Sequence, residues 1–101
     1  MEISTDLLQD FKDRMHITHS SEDDNLKRLL SFSIVAIRSN CGSYEVEGET
    51  DIDIRARELV LERTRYVYND ALEYFEDNFL SELNSLGLSI AFEESDTDAT
   101  V

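Results

Sequence analysis

Leu7, Leu8, Phe11 and Met15 recur at helical spacing behind Ser4 and Thr5, whose hydroxyls can cap free helix amides, and predict a first helix over about residues 5–15. A second apolar line, Leu26, Leu29, Leu30, Ile34, Ile37 and Cys41, begins after Ser21-Glu22-Asp23-Asp24. That capping-box-like start also sets carboxylates at the positive end of the helix dipole. The line stops at Asn40-Cys41-Gly42, so the second helix is expected over about residues 21–41. Between Ser43 and Thr50, Tyr44, Val46 and Gly48 alternate with Glu45, Glu47 and Glu49, which reads as a flexible loop or a short extended ribbon. Thr50-Asp51-Ile52-Asp53 then caps a third helix over about residues 51–68. Within it Asp51 and Arg55, Asp53 and Arg57, and Glu62 and Arg65 are spaced to pair across one turn.

Asn69-Asp70 followed by Glu73 reads as a break and a new cap, although with neither Pro nor Gly between Gly48 and Gly87 one continuous rod fits equally well. Leu72, Phe75, Phe79, Leu83 and Leu86 form the apolar stripe of a fourth helix ending at Gly87. Beyond it Leu88, Ile90 and Phe92 alternate with Ser89, Ala91 and Glu93, which predicts an extended segment, and residues 93–101 read as an acidic, disordered tail. The expected fold class is all-α: a single domain over 1–92 built as a small bundle of about four helices, with a loop at 43–50 and an extended acidic C-terminal tail.

Composition narrows the range of functions. A chain of 101 residues holds one small core. Hydrophobic residues at 41% exclude a wholly disordered chain, yet 23 Asp and Glu against 9 Lys and Arg leave a net charge of −14. Gripping DNA, RNA or anionic lipid needs clustered cations that release counterions, and this composition argues against all three. One cysteine allows no internal disulfide, and no charged-apolar-small leader opens the sequence, so a cytoplasmic setting is expected. The longest apolar run, Ile34-Val35-Ala36-Ile37, is far short of the roughly 20 residues needed to span a bilayer.

Catalytic chemistry finds little to work with. The sequence has no glycine-rich phosphate loop and no Gly-x-Ser-x-Gly elbow. His16 and His19 could share a metal with Glu22 or Asp23, but two histidines without a further ligand cluster read more simply as exposed loop residues. Cys41 lies on the inner stripe of the second helix, where a small buried hydrophobe is the simpler reading than a reactive thiol. The expectation is a protein that is not an enzyme and carries no cofactor and no metal.

The third helix stands apart because two apolar lines run along it. Ile52, Ala56, Leu59, Val60 and Val67 make one; Ile54, Leu61 and Tyr68, each seven residues from the next, make the other. A second line implies either contact with something outside the subunit or a central helix packed on both sides by its own chain. Arg63 falls within the first line, where its guanidinium must snorkel, pair internally, or meet a carboxylate of another subunit. After Arg65 no basic residue occurs, so the C-terminal third is uniformly negative.

The stretch from Ala56 to Phe75, Ala-Arg-Glu-Leu-Val-Leu-Glu-Arg-Thr-Arg-Tyr-Val-Tyr-Asn-Asp-Ala-Leu-Glu-Tyr-Phe, resembles the later helical region of the head-tail connector (portal adaptor) proteins of tailed bacteriophages. The opening fits the same family: a short first helix with Leu7-Leu8 and Phe11, a His16-Ile-Thr-His-Ser-Ser-Glu-Asp-Asp24 hinge, and a long second helix ending in Asn-Cys-Gly. Over residues 5–92 the resemblance implies a helical virion structural protein of the neck, made in the host cytoplasm and possessing neither reaction nor cofactor. Such a subunit joins a closed ring under the portal protein, extends the channel through which DNA passes without specific binding, and docks the next neck or tail-completion protein. It can be monomeric in isolation. On this reading Ile54, Leu61, Tyr68 and Arg63 are expected at a subunit interface, Glu45, Glu47 and Glu49 on the channel wall or rim, and Leu88, Ile90 and Phe92 at a partner-docking surface. The extreme acidity departs from many relatives. It also supports an alternative of another class, a small acidic DNA mimic that inhibits a nucleic-acid-binding protein.

Overall fold

A computed structural model describes residues 2–99, with side chains described through Glu94. Four α-helices follow one another in chain order: α1 (Thr5–Met15), α2 (Asp23–Cys41), α3 (Asp51–Tyr68) and α4 (Phe75–Ala99), with a 3-10 turn at Leu72–Tyr74 leading into the last. The described residues contain no strand, and the all-α class holds.

The start of α1 follows its sequence signal, since Ser4 Oγ accepts the Leu7 amide at 3.0 Å. Its end carries no glycine. His16 takes the left-handed conformation (φ 59°) while the His16 and Ile17 amides donate back to the Asp13 and Lys12 carbonyls, a Schellman closure on a histidine. The end of α3 repeats the device: Asp70 (φ 56°) donates to Val67 O, and Ala71 donates to Tyr66 O at 2.8 Å. The continuous rod is thereby excluded, and α3 and α4 are separate helices.

α3 is central, packing against α1, α2 and α4. Its Ala56, Leu59, Val60, Leu61 and Thr64 are buried with Leu7, Leu8 and Phe11 of α1, Leu26, Leu30, Ile34 and Ile37 of α2, and Phe75, Leu83, Leu86 and Ile90 of α4. Each such leucine or isoleucine contributes about 1.5–3 kcal/mol by leaving water. Thr64 is fully enclosed but donates to Val60 O one turn back, so its hydroxyl carries no desolvation penalty. Aromatic rings close the α3–α4 corner: Phe75 stacks on Phe79 with centroids 5.0 Å apart, and Tyr66 meets both edge-on.

Three expectations are corrected. α2 starts at Asp23 and not at residue 21, with no side-chain cap. The acidic residues there are engaged across the bundle instead: Asp23 accepts from Lys12 at 2.8 Å, and Glu22 accepts from Tyr68 Oη at 2.9 Å. The extended segment at Leu88–Phe92 does not form, because α4 continues through it and through Gly87 to Ala99. The alternation that implied a strand is one in which Leu86 and Ile90, one turn apart, are buried while Leu88 and Phe92 face solvent. Helix is therefore the conformation that buries the residues α2 and α3 can cover. The interruption in α4 lies earlier, at Phe79 (φ −117°, ψ 17°), inside the predicted stripe. Of the tail at 93–101, the backbone is helical to Ala99, and Thr100 and Val101 lie outside the described residues.

The 43–50 segment is a loop, as predicted, but one anchored along its length. Tyr44 is buried and donates to Ile34 O at 2.6 Å. Asp53, at the third position of α3, accepts the Glu45 amide at 2.9 Å while its own amide donates to Thr50 Oγ1. Arg57 donates to the carbonyls of Val46 and Gly48. Arg57 thus hydrogen-bonds the loop and not Asp53, whose carboxylate it supports by its charge alone. Gly48 lies so close to Asp53 that any β-carbon there would fall on the carboxylate. At the other end of the loop Gly42 (φ 116°) lets the chain leave α2 directly over Ile90.

Candidate functional site

For a small helical bundle the first functional question is which side chains serve the subunit and which face outward. The second line of α3 divides. Ile54 is 47% exposed, but Leu61 is only 4% exposed, and Tyr68 is partly buried. The cover is α1. Arg14 donates to Glu58 at 2.8 and 2.9 Å and to Glu62 at 2.7 Å, the two carboxylates that flank Leu61, while Phe11 meets the Tyr68 ring edge-on with centroids 6.3 Å apart. In the free subunit this is α3 packed on both sides by its own chain, and Ile54 alone of the three is left largely exposed. Arg63 likewise has an internal partner, donating to the buried Ser33 hydroxyl at 3.1 Å. Burial lowers its pKa, and the nearby Glu76 charge opposes that shift.

The Arg14 network has consistent electrostatics. Hydrogen bonding to Glu58, with Glu62 adding to it, raises the Arg14 pKa against the effect of burial. Burial pushes the Glu62 carboxyl up, but the hydrogen bonds and charges of Arg65 and Arg14 outweigh it and hold the group below its ordinary value. Glu62 therefore stays ionised between its two arginines. In the loop, the Glu45 amide and then the Thr50 hydroxyl hold Asp53 below the usual carboxylate range.

Glu45, Glu47 and Glu49 are exposed, so the anchored loop presents three carboxylates from a fixed backbone. Only Glu47 has a side-chain partner, the Ser4 hydroxyl at 2.5 Å. Of the expected docking residues, Leu88 and Phe92 are 63% and 69% exposed, whereas Ile90 is core. Phe32 and Val35 of α2 and Tyr74 and Leu80 around the start of α4 are further exposed apolar side chains, and Leu72, expected on the inward stripe of the fourth helix, is itself exposed because it lies in the 3-10 turn that precedes α4. Their signal was present: Phe32, Val35 and Leu80 fall off the inward stripes of their helices.

His16 ends α1, and His19 bonds the Ser21 hydroxyl and lies 3.6 Å from Glu22. Among the described residues no group of three or more His, Cys, Asp or Glu side chains is arranged to hold a metal, and no helix is long and apolar enough to cross a membrane. Cys41 is buried with its thiol directed at Leu83 O, 3.4 Å away, and burial raises its pKa, the opposite of what a thiolate nucleophile needs.

The arrangement is a stable helical scaffold with its polar interior satisfied, since no buried side-chain nitrogen or oxygen among the described residues lacks a partner. Its unspent features are apolar side chains and charge on the outside, which suits assembly. Comparison with known proteins agrees. No curated protein and no solved structure matches the chain, but the family model described as phage gp6-like head-tail connector protein matches residues 5–98. The match covers both halves of the resemblance noted in the sequence and runs through α4, and the chain accordingly belongs to the phage gp6-like head-tail connector family, a family of virion structural proteins.

Proposed function

We propose that this connector subunit assembles as a closed ring beneath the portal vertex, extends the DNA channel outward, and docks the next neck or tail-completion protein. The family match over residues 5–98 carries this reading. The subunit is built in the host cytoplasm, monomeric until it meets the portal, and acts in the neck of the virion without catalysis or cofactor. Its net charge of −14 suits a channel along which DNA slides without adhering, because cations that would release counterions from DNA are scarce and mostly turned to internal tasks. Glu45, Glu47 and Glu49 form the rim or wall of that channel, on a loop held by Asp53 and Arg57. Ile54 is the member of the α3 line that remains for a lateral contact, while Leu61, Tyr68 and Arg63 serve the subunit's own core.

The test is co-expression with the portal protein of the same phage, followed by affinity purification through the portal and electron microscopy. Co-purification with a ring of added density on the outer side of the portal is expected. A portal that neither retains the chain nor gains density overturns the proposal.

A further inference from the structure

Residues 71–78 lie between two breaks in the helical backbone. On one side Asp70 takes the left-handed conformation (φ 56°) and closes α3; on the other Phe79 is non-helical (φ −117°, ψ 17°), so the first turn of α4 is not continuous with the helix that follows. The segment between these breaks is held at few points. Its 3-10 turn packs on α3, but Phe75 is its one buried side chain, 2% exposed, while Leu72, Glu73, Tyr74, Glu76, Asp77 and Asn78 face solvent. Phe75 stacks on Phe79 and meets the Tyr66 ring edge-on with centroids 5.7 Å apart, and Asn78 Nδ2 donates to Tyr66 Oη at 3.0 Å. No ion pair among the described residues involves the segment.

The helix beyond Phe79 is fixed quite differently. Leu83, Leu86 and Ile90 are buried on successive turns, Gly42 lies directly over Ile90, and Arg55 of α3 donates to Ser85 and Ser89. Tyr66 is likewise held from its own helix, with the Arg65 guanidinium 5.1 Å from its ring centroid. Both surfaces against which residues 71–78 rest are therefore anchored independently of them.

We infer that residues 71–78 are a flap, fastened by Phe75, that opens about Asp70 and Phe79 while the rest of the bundle stays folded. Opening requires the loss of one buried ring and one side-chain hydrogen bond, whereas freeing the later part of α4 gives up three buried side chains together, and a segment so lightly held is the kind that opens on its own. The open flap presents the Phe75 ring and uncovers Tyr66 and Phe79, which otherwise border the core. It also withdraws Glu76, whose charge acts on half-buried Arg63. Closed, the flap keeps an aromatic surface beside a cation away from other chains. The device belongs to the free subunit, so it stands or fails independently of the ring proposed above.

Thiol labelling under native conditions tests this. In a Cys41→Ala chain, which removes the one natural thiol, Phe75→Cys or Leu86→Cys supplies a single buried probe for an aromatic disulfide reagent. Both changes truncate a buried side chain, so the comparison is matched. The Phe75→Cys thiol should react at least roughly a hundredfold faster than the Leu86→Cys thiol. Mild urea should hardly alter the first rate but should accelerate the second, because flap opening uncovers little surface and global opening uncovers much. Adding Asn78→Ala should speed the first about fivefold, the worth of one hydrogen bond, and leave the second unchanged. As a second measurement, Phe75→Asp in the otherwise natural chain should hold the flap open yet keep the helical circular dichroism and a cooperative melt, while Leu86→Asp should not fold. Equal labelling rates that climb together with urea, an Asn78→Ala effect shared by both thiols, or unfolding of the whole bundle by Phe75→Asp would each show that residues 71–78 belong to the cooperative core, and the inference would be overturned.

Discussion

Replacing Leu61 by aspartate separates two roles for the second apolar line of α3. Leu61 is 4% exposed, beneath α1, and lies between Glu58 and Glu62, which are both committed to Arg14. The substitution forfeits the burial of a leucine, about 1.5–3 kcal/mol. It also places a carboxylate beside Glu58 and Glu62, whose arginines Arg14 and Arg65 are already committed to them, so the new group must either be neutralised or draw water into the α1–α3 seam. Together these reach on the order of 3–5 kcal/mol, a large part of the roughly 5–15 kcal/mol that holds a small domain folded. For a chain of this size that corresponds to a fall in melting temperature of roughly 12–20 °C. Ile54→Asp on the same line is the control, since Ile54 is about half exposed and should cost less than about 1 kcal/mol. Thermal unfolding of the isolated subunit followed by circular dichroism reads both. Equal, small shifts would mean that α1 does not cover Leu61 in solution, and the line would return to being an external contact surface.

Further outcomes follow from the same structure. Leu83→Ala should cost about 2–5 kcal/mol in urea unfolding, because Leu83 is core under the α2–α4 contact. Tyr44→Phe should cost about 1 kcal/mol by removing the buried hydroxyl's hydrogen bond to Ile34 O. The Tyr44 phenol is pushed up to about 12 by burial, so in a spectrophotometric titration it should ionise well above the ordinary tyrosine value; its contribution to stability is complete below that ordinary value of about 10 and is lost as pH rises toward 12. Gly48→Ala should destabilise the wild-type chain more than it does an Asp53→Ser chain, the difference in midpoint measuring the close approach of loop and helix. With Asp53 held low, the loop clasp is intact above the ordinary carboxylate pKa and released as pH falls through the depressed value, which amide exchange at Glu45 would follow. Replacing Glu45, Glu47 and Glu49 together by lysine should change the melting temperature of the free subunit little, since loop charges contribute little to folding, yet slow DNA ejection from assembled particles; normal ejection would take this loop out of the channel.

The helices of this connector could be read from the sequence wherever a local signal and the burial pattern agree. Ser4 and Thr50 cap α1 and α3 with their side chains, Gly42 ends α2, and the inward stripes of α1 and α2 are the buried ones. The family, too, was legible in the residues from Ala56 to Phe75 and in the hinge before α2, and the model match extends it to residues 5–98. What the sequence could not decide were choices made by distant partners. Two helices close on left-handed His16 and Asp70, where no glycine announces a stop and the bundle supplies the reason to turn. Asp23 and Glu22 look like capping residues but reach Lys12 and Tyr68. Leu88, Ile90 and Phe92 alternate as a strand would, and only the nearness of α2 and α3 makes it favourable to bury Ile90 and leave the other two outside. The burial of Leu61 has the same origin. An apolar residue on a second helix face is equally consistent with a neighbouring subunit and with another helix of the same chain, and the position of α1, held by Arg14, decides between them.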